Sequence, residues 1–425
     1  MSDRRVSTMA AGLMGSEILK IAADVRAMVA GGEQVCNLTV GDFSPAQFRI
    51  PPMLEREIVQ ALQSGETNYP PSEGVPTLRQ AVADFYREWL GLDYPVESVL
   101  VTGGSRPGIY SVFTTVVDPG DTVVYPVPSW NNNHYVQLSG ANGIPVVCHA
   151  EEDFLPTRAL LEPHIRGARL LALNSPLNPS GTAFTAHALG EICDLVLEEN
   201  ARRGPDERPL YVMYDQVYWM LTFDGTEHLN PVSLRPEMRE YTIFVDGISK
   251  AFAATGVRVG WTVGPADVTK RMMSVLGHVG AWAPRAEQIA TARVLQAADA
   301  IAEYHDAMKE QVQGRLHALY DGLQALREAG YPVHAIPPMG AIYLSACFPL
   351  HGWRTPAGAV LRTNDDIRHY LLDAAGLAVV PFQAFGMMED TGWFRLSVGA
   401  VSMEEIQTTF ARLGPALQAL QRPEA

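Results

Sequence analysis

Between residues 98 and 264 the chain alternates short apolar runs with segments of helical length. Strands buried on both faces are nearly continuous in Val, Ile and Leu, and two parallel strands need a crossover between them, usually a helix. The pattern therefore predicts an α/β domain with a mostly parallel sheet that helices cover on both faces. The runs are SVLVTGG, DTVVYP, ARLLALNSP, PLYVMYDQVY, YTIFVDGISK and VRVGWTVG.

From about residue 300 the pattern changes. Residues 301–330 are predicted to form one long helix that ends at Gly330, and shorter helical and strand-like stretches then follow without regular alternation. Such a mixture is typical of an α+β unit. We therefore predict a large domain over residues 46–300 and a smaller α+β domain over residues 301–425, which residues 1–45 join as an N-terminal segment.

The composition argues against several classes of protein. Lys plus Arg total 32 and Asp plus Glu total 47, and the resulting net charge of −15 opposes sequence-independent binding to nucleic acid. No apolar run reaches the roughly 18 residues of a membrane span. The four cysteines share no metal-ligand spacing and do not resemble a disulfide scaffold. We expect no nucleic-acid partner, no membrane, no metal and a cytoplasmic location.

Polar or special residues follow most of the predicted strands directly. Because ligands of open α/β sheets bind beyond the carboxyl ends of the strands, these clusters are expected to line one crevice. The sequence thus indicates a ligand site at this edge of the sheet. The clusters are residues 103–106, 128–130, 174–178, 215–218 and 249–250.

Lys250 lies among small residues at the end of a predicted strand, in DGISKAFAATGVRVGW. A lysine is ordinarily a solvated surface charge. Here the neighbouring Gly, Ser, Ala and Phe favour a buried amine, and burial lowers the pKa of an amine and raises its neutral, nucleophilic fraction. Arg258, eight positions later, is suited to bind a phosphate with two hydrogen bonds.

Each remaining cluster also has an ordinary structural explanation. The segment GGSR, with Ser105 and Arg106, could be a plain strand-to-helix turn or a phosphate-binding helix N-terminus. Trp130 could be a core aromatic or a ring that stacks on a flat ligand. Asp215 could cap a helix, but an acid directly after an apolar run is costly unless it is paired.

One ligand suits the whole set. A flat ring needs stacking by Trp130, and a protonated ring nitrogen needs the carboxylate of Asp215. A phenolic oxygen needs donors such as Tyr218 and Asn178, and an aldehyde needs Lys250. A phosphate needs Arg258 and the turn with Ser105 and Arg106. Pyridoxal phosphate carries all these groups, and a lysine with an aspartate partner is its expected protein signature.

Several segments together resemble the class I/II aminotransferases of the type I pyridoxal-phosphate fold, the aspartate aminotransferase-like superfamily. NSPLNPSG resembles N-P-x-N-P-T-G, DQVYWMLTF resembles D-x-x-Y-x-x-F, and GISKAFAATGVRVGW resembles S-x-S-K-x-x-x-x-x-G-x-R-x-G. YPPSEGVPTLRQAVA, PMGAIYL and FRLSVG resemble three further motifs. The resemblance runs from about residue 16 to the C-terminus, and six motifs in the right order make it highly specific.

The resemblance implies a large domain with a mostly parallel, doubly covered seven-stranded sheet and a smaller domain. It also implies ping-pong transfer of an amino group from an α-amino acid to a 2-oxo acid, in a homodimer with shared active sites. Lys250 would bind the cofactor aldehyde and move the substrate proton. At the other matched positions, Asp215 would hold the ring nitrogen, Tyr218 and Asn178 the phenolic oxygen, and Trp130 the ring face. Arg258 would bind the phosphate, and Tyr69 would reach the phosphate of the other subunit. Arg395 would bind the substrate α-carboxylate, Gly41 would lie against the substrate, and Asn178 would also contact the substrate.

Two departures from the family pattern concern the phosphate. Gly247 stands three residues before Lys250, where the family commonly has a serine that donates a hydrogen bond. The phosphate turn GGSRPG carries Arg106, and we hypothesise that Arg106 replaces the lost donor. In the segment TVGDF, Gly41 is followed directly by Asp42 and Phe43, which is shorter than the usual G-E-P-D-F and predicts a different wall on the substrate side.

Three other functions fit parts of the sequence. A lyase on the same fold that eliminates a β- or γ-substituent would share every cofactor residue. A nucleotide-binding oxidoreductase is disfavoured, because the glycine-rich fingerprint is absent. A non-catalytic ligand sensor usually carries an added DNA-binding domain, and no basic extension is present.

The substrate side chain is less constrained. PSWNNNH resembles the P-S-W-x-N-H segment of aspartate aminotransferases and favours dicarboxylic substrates, while aromatic and branched-chain amino acids stay open. A dicarboxylic substrate needs a second cation, and the candidates are Arg106, Arg285 and His134.

Overall fold

The computed structural model describes residues 5–13 and 17–423. In this part of the chain the helices are α1 (Thr8–Ala11), α2 (Glu17–Ala30), α3 (Pro52–Gln63), α4 (Pro76–Leu90), α5 (Ser105–Val116), α6 (Asn132–Ser139), α7 (Arg158–Ile165), α8 (Ala186–Arg202), α9 (Pro231–Leu234), α10 (Ile248–Ala251), α11 (Ala266–Val279), α12 (Arg285–Leu295), α13 (Ala298–Glu328), α14 (Asn364–Ala375) and α15 (Met403–Gln418). The strands are β1 (Cys36–Asn37), β2 (Val99–Thr102), β3 (Thr122–Val127), β4 (Asn142–Val147), β5 (Leu170–Asn174), β6 (Tyr211–Asp215), β7 (Thr242–Gly247), β8 (Gly260–Val263), β9 (His334–Ala335), β10 (Tyr343–Cys347), β11 (Leu377–Ala378), β12 (Val380–Pro381) and β13 (Trp393–Ser397).

A seven-stranded sheet has the order β2-β8-β7-β6-β5-β3-β4. All neighbours pair in parallel except β8, which is antiparallel to β2 and to β7. Alternate residues of β6 and β7 contribute to two separate apolar clusters: Tyr214 and Phe244 to one, Met213 and Val245 to the other. The sheet is therefore covered on both faces, and the predicted α/β fold with a mostly parallel seven-stranded sheet is confirmed.

One strand of this sheet, β4, is not marked by the apolar pattern. Its sequence NGIPVV contains a glycine and a proline, and only Val146 of its six residues is buried. The strand lies at the end of the sheet, where a proline is tolerated because one side of the strand makes no ladder hydrogen bonds. An edge strand of this kind lacks the continuous apolar run that marks the central strands.

A second, antiparallel sheet has the order β12-β13-β10-β9. The long helix α13 spans 31 residues and packs near it, and helices α14 and α15 pack on each other. Near the N-terminus, β1 pairs in parallel with β11, so that Cys36 lies opposite Leu377. This pairing supports the prediction that the N-terminal segment joins the small domain. The domain boundaries stay a prediction, and residues 1–4 and 14–16 of that segment lie outside the described residues.

Strands β5, β6 and β7 are neighbours, and their parallel pairing brings their carboxyl ends to one edge. Asn174 lies opposite Asp215, and Asp215 lies opposite Val245. The one-turn helix α10, which carries Lys250, follows β7 directly. Among the residues that the structure describes, no helix is both long and apolar enough to cross a membrane.

Candidate active site

A cavity of about 640 Å³ lies at the carboxyl ends of β5, β6 and β7. It brings together the residues that the sequence predicts for the site, except one, although they are spread from residue 41 to residue 395. The predicted residues that line it are Gly41, Ser105, Arg106, Trp130, Asn178, Asp215, Tyr218, Lys250, Arg258 and Arg395.

Tyr69 is the exception. It does not line the cavity of its own chain, and 81% of its surface is exposed. Its ring makes an edge-to-face contact with Trp282, with 5.5 Å between the ring centres. The exposed side chain of Tyr69 is therefore accessible to a second subunit, which is where the resemblance places it.

Lys250 faces the cavity from α10. Its Nζ atom donates a hydrogen bond of 2.7 Å to the carbonyl oxygen of Gly41. Burial lowers the pKa of Lys250 to about 8, against the opposing effect of Asp42. The side chain therefore has a much larger neutral fraction near neutral pH than a surface lysine, as the sequence predicts.

Asp246, four residues before Lys250, does not neutralise this amine. Its buried carboxylate accepts hydrogen bonds from the hydroxyl of Tyr86 at 3.1 Å, from Nε1 of Trp219 at 3.0 Å and from the amide of Gly247 at 2.7 Å. The carboxylate thus anchors the end of β7 to α4 and to the loop after β6.

Asp215 ends β6 and faces the cavity. Burial raises the pKa of Asp215 to about 7, although the amide of Val217 donates to its Oδ1 atom at 3.2 Å and Lys250 also acts in the opposite direction. A carboxyl group that burial destabilises as an anion gains most from a cationic partner in the cavity. A protonated ring nitrogen is such a partner.

Arg395, on β13, lies on the other side of the cavity and is 1% exposed. It donates to Oδ1 of Asn178 at 3.1 Å and to the carbonyl oxygen of Thr39 at 2.8 Å, and its guanidinium lies 4.6 Å above the ring of Tyr343. Burial lowers the pKa of Arg395. None of these partners carries a negative charge, so the buried cation is available to an anionic ligand.

The loop after β5 is held by Asn174. Its Nδ2 atom donates to the carbonyl oxygen of Asp215 at 2.7 Å, and its Oδ1 atom accepts from the amide of Asn178 at 2.8 Å. Asn174 therefore positions Asn178, and both the Nδ2 and the Oδ1 atom of its side chain already make hydrogen bonds within the protein.

A second concentration of positive charge lies at the start of α5, a helix of twelve residues that begins at Ser105. Arg258 donates to the carbonyl oxygens of Thr255 at 2.6 Å and of Gly103 at 2.9 Å. Burial and the nearby Arg106 both lower the pKa of Arg258, and Arg106 stacks over Trp130 at 4.6 Å. A helix N-terminus with two converging guanidinium groups is an anion site.

The structure explains the glycine at position 247. A Cβ atom there would lie 2.7 Å from the Cα atom of Gly260, on the neighbouring strand, and 2.9 Å from the carbonyl oxygen of Val259. A serine at this position would therefore clash with the backbone of β8. By contrast Ser249 is buried, and within the described chain its hydroxyl has no hydrogen-bond partner.

Several other residues of the cavity wall have no role that the sequence predicts: Asp42, Ile109, Asn131, Val217, Thr255 and Tyr343. Asp42 accepts from the hydroxyl of Thr255 at 2.5 Å and from the amide of Phe43 at 2.7 Å. Tyr343 belongs to PMGAIYL, one of the segments that resemble family motifs, so the sequence does indicate that this position is special. Asp42 directly follows Gly41, where the family pattern G-E-P-D-F is longer, and this difference in length is what indicates a different cavity wall on the substrate side.

Two of the three candidate cations for a substrate side chain, Arg285 and His134, do not line the cavity. Arg285 instead pairs with Glu66, with 2.5 Å between Nε and the carboxylate. Arg106 alone of the three lies in the cavity wall.

The residues present fit pyridoxal phosphate. The orphaned buried hydroxyl of Ser249, Arg258 and the first turn of α5 provide donors for a phosphate. Asp215, Tyr218 and Asn178 provide partners for a ring nitrogen and a phenolic oxygen, and the amine of Lys250 faces the same space. The cavity is within the range of a cofactor-sized ligand.

Comparisons with known proteins agree with this chemistry. The family model described as aminotransferase class I and II matches residues 33–413. The aspartate aminotransferase of Rhizobium meliloti (strain 1021) is 30% identical over 95% of this chain and 94% of its own, and that of Geobacillus stearothermophilus is 30% identical over 95% and 96%.

Solved structures are similar over almost the whole chain. The crystal structure of the Rhizobium meliloti aspartate aminotransferase has a TM-score of 0.88 at 28% identity, covering 98% of this chain and 99% of its own. The Thermus thermophilus aspartate aminotransferase with maleate has a TM-score of 0.85 at 28% identity, covering 97% and 99%. These relatives do not favour the lyase or the oxidoreductase. The chain therefore belongs to the aminotransferase class I and II family, and it is an aminotransferase that depends on pyridoxal phosphate.

Proposed function

We propose that this aminotransferase takes its amino group from aspartate or a similar α-amino acid and gives it to a 2-oxo acid of the 2-oxoglutarate type, with aromatic amino acids as further donors. The observation that carries the proposal is one cavity in which the amine of Lys250 and the carboxyl of Asp215 face the buried, unneutralised guanidinium of Arg395. The names of the relatives support the dicarboxylic preference.

The residues that would hold the cofactor follow from the donor set. Asp215 would contact the ring nitrogen, Tyr218 and Asn178 the phenolic oxygen, and Trp130 the ring face. Ser105, Arg106 and Arg258 would bind the phosphate, and Lys250 would bind the aldehyde. When bound, the cofactor supplies an electron sink and a carrier for the amino group.

The chain's own residues then have distinct tasks. Arg395 binds and orients the α-carboxylate of the amino acid, with Gly41 against the substrate. Lys250, once its amine is free, removes the proton from the α-carbon as a general base and returns it on the cofactor side. Asp215 keeps the proton on the ring nitrogen, and Tyr218 and Asn178 direct their donors at the phenolic oxygen. The two half-reactions predict ping-pong kinetics.

We further propose that the active enzyme is a homodimer in which Tyr69 reaches the phosphate bound by the other subunit. The exposure of Tyr69, whose ring makes an edge-to-face contact with Trp282, supports this arrangement. A monomer in sedimentation equilibrium at the concentration at which the enzyme is active would contradict it.

The organisation and location of the chain are proposals as well. A large domain over residues 46–300, and a small one over residues 301–425 with residues 1–45, are supported by the seven-stranded and four-stranded sheets, whose strands come from residues 99–263 and 334–397 respectively. A cytoplasmic location is supported by four cysteines that are free and buried. Limited proteolysis that cut first within the large sheet would contradict the boundaries, and recovery in a membrane or exported fraction would contradict the location.

A half-reaction screen tests the function directly. The holoenzyme is mixed with single amino acids in the absence of any 2-oxo acid, and the visible cofactor band is followed. We expect aspartate and glutamate to remove the band fastest, aromatic amino acids more slowly, and the added 2-oxo acid to restore it. If no amino acid removes the band, or if ammonia is released without an acceptor, the enzyme is not the proposed aminotransferase.

Arg106→Gln tests how the phosphate is bound without a serine at position 247. Losing one charge-assisted contact of about 1.5–3 kcal/mol should weaken cofactor affinity roughly 10- to 150-fold. Affinity is measured by titrating apoprotein with pyridoxal phosphate, and Arg166→Gln, an exposed arginine away from the cavity, is the matched control. An unchanged cofactor affinity with a raised KM for aspartate would instead place Arg106 on the substrate.

A further inference from the structure

Two tyrosine hydroxyls meet in the wall of the cavity. The Oη atoms of Tyr218 and Tyr343 are 2.6 Å apart, and their rings are edge to face with 5.5 Å between the ring centres. Tyr218 follows β6 and Tyr343 begins β10, so the contact joins the large sheet to the sheet that carries Arg395. Both side chains are buried.

The hydroxyl of Tyr343 is confined to this contact. In the part of the chain that the structure describes, its one hydrogen bond is the bond to Tyr218. A Cβ atom on Gly41 would lie 2.9 Å from the hydroxyl, so the glycine is what leaves room for it on that side. Its ring is held by the guanidinium of Arg395, 4.6 Å from the ring centre.

The direction of the hydrogen bond matters for the cofactor. Two hydroxyls that share one hydrogen bond must divide the roles of donor and acceptor, and geometry alone permits either division. If Tyr343 donates, the proton of Tyr218 is free to point into the cavity, and each bond strengthens the other. The guanidinium of Arg395 lies 4.6 Å from the ring centre of Tyr343, closer than the 5.9 Å between the amine of Lys250 and the ring centre of Tyr218. The nearer positive charge makes the hydroxyl of Tyr343 the better donor.

We propose that Tyr343 is a positioning residue that acts through Tyr218: it donates to the hydroxyl of Tyr218 and so commits the proton of Tyr218 to the phenolic oxygen of the cofactor. The proposal rests on the proposed contact between Tyr218 and that oxygen. Because the ring of Tyr343 also packs on Arg395, the same side chain joins the cofactor contact to the substrate-carboxylate contact.

The charged groups around this pair come from several elements. Asp215 ends β6, Lys250 lies on α10, Arg395 lies on β13, and Asp42 lies in the loop after β1. All of them are retained in the variants that follow, so a change in the titration of the bound cofactor reports on the hydroxyls.

The test is a pH titration of the visible absorption band of the holoenzyme, which needs no turnover. Tyr343→Phe keeps the ring against Arg395 and removes only the hydroxyl. The hydrogen bond stabilises negative charge on the phenolic oxygen, so with a weaker donor the bound cofactor holds its proton more tightly. We therefore expect the pH midpoint of the absorption change to rise by about 0.3 to 1 unit, which corresponds to the free energy of one neutral hydrogen bond. Tyr218→Phe should raise it further.

A double variant separates action through Tyr218 from direct action. Tyr218→Phe/Tyr343→Phe should have the midpoint of Tyr218→Phe alone, because Tyr343 then has no hydroxyl to act on. Tyr343→Leu, which also removes the ring from Arg395, should raise KM in addition. A fluorotyrosine at position 343, which keeps the packing and donates more strongly, should shift the midpoint in the opposite direction.

The outcomes distinguish the two proposals. Two results would overturn the role of Tyr343 and leave the role of Tyr218. One is that Tyr343→Phe shifts the pH midpoint fully even in the Tyr218→Phe background. The other is that Tyr218→Phe shifts the midpoint while neither Tyr343→Phe nor fluorotyrosine at position 343 does. No shift in Tyr218→Phe overturns the proposed cofactor contact of Tyr218 and, with it, this inference.

Discussion

Lys250→Ala is expected to lower kcat for transamination by at least about 10⁴-fold, the upper range for removing a general acid-base group. The amine of Lys250 has two tasks in the proposed mechanism, binding the cofactor aldehyde and moving the substrate proton. No other amine lines the cavity among the described residues, so no side chain can take over. Stopped-flow measurement of the half-reaction with aspartate gives the rate of the chemical step.

The control for this variant is Lys270→Ala, which removes an exposed lysine from α11 and should leave the rate unchanged. Because Lys250→Ala leaves a small space where the amine was, a small primary amine in the buffer is expected to restore part of the rate. Turnover at the wild-type rate without added amine would show that Lys250 does not carry the chemistry.

Asp215→Asn is expected to lower kcat by about 10³-fold, comparable to the loss of a preorganised electrostatic partner in a buried site. The amide has nearly the shape of the carboxyl group but cannot balance a protonated ring nitrogen. In the protein alone, burial raises the pKa of Asp215 to about 7. A cationic partner in the cavity would lower that pKa again, and the same interaction would retain the proton on the ring nitrogen.

The measurement is again the half-reaction rate, with cofactor content determined separately so that loss of binding is not mistaken for loss of chemistry. Asp206→Asn, at an exposed position, is the matched control. An Asp215→Asn enzyme that binds the cofactor fully and retains its rate would remove Asp215 from the mechanism.

The central part of the fold could be predicted because burial on two faces leaves a direct trace in the chain. Strands β5, β6 and β7 are nearly continuous in apolar residues, and the 31-residue helix α13 agrees with the predicted helix. Strand β4 left no such trace because it is an edge strand with mostly exposed residues. The antiparallel direction of β8 is likewise absent from its sequence, since it depends on which strands it pairs with.

The residues of the candidate site also fall into those that the sequence marks and those that only the packing of distant segments brings together. The sequence marks Lys250 and Asp215 because each is a charged residue at the end of an apolar run that predicts a buried strand. Asp42 and Thr255 follow no strand of the large sheet, and the bond that joins them spans more than two hundred residues. Gly247 was recognised as a departure from the family, but the reason for it, the close approach of Gly260, is a distance between two strands.

The sequence by itself therefore determined the fold class, the cofactor chemistry and the residues at the strand ends, because apolar periodicity and motif spacing are properties of one continuous stretch of chain. Only the tertiary structure decided that Tyr343 meets Tyr218, that Arg395 is buried without a countercharge, and that the carboxylate of Asp246 binds Tyr86 and Trp219. These contacts depend on distances between segments that are far apart in the chain. Such distances are set by how the two sheets and their helices pack together.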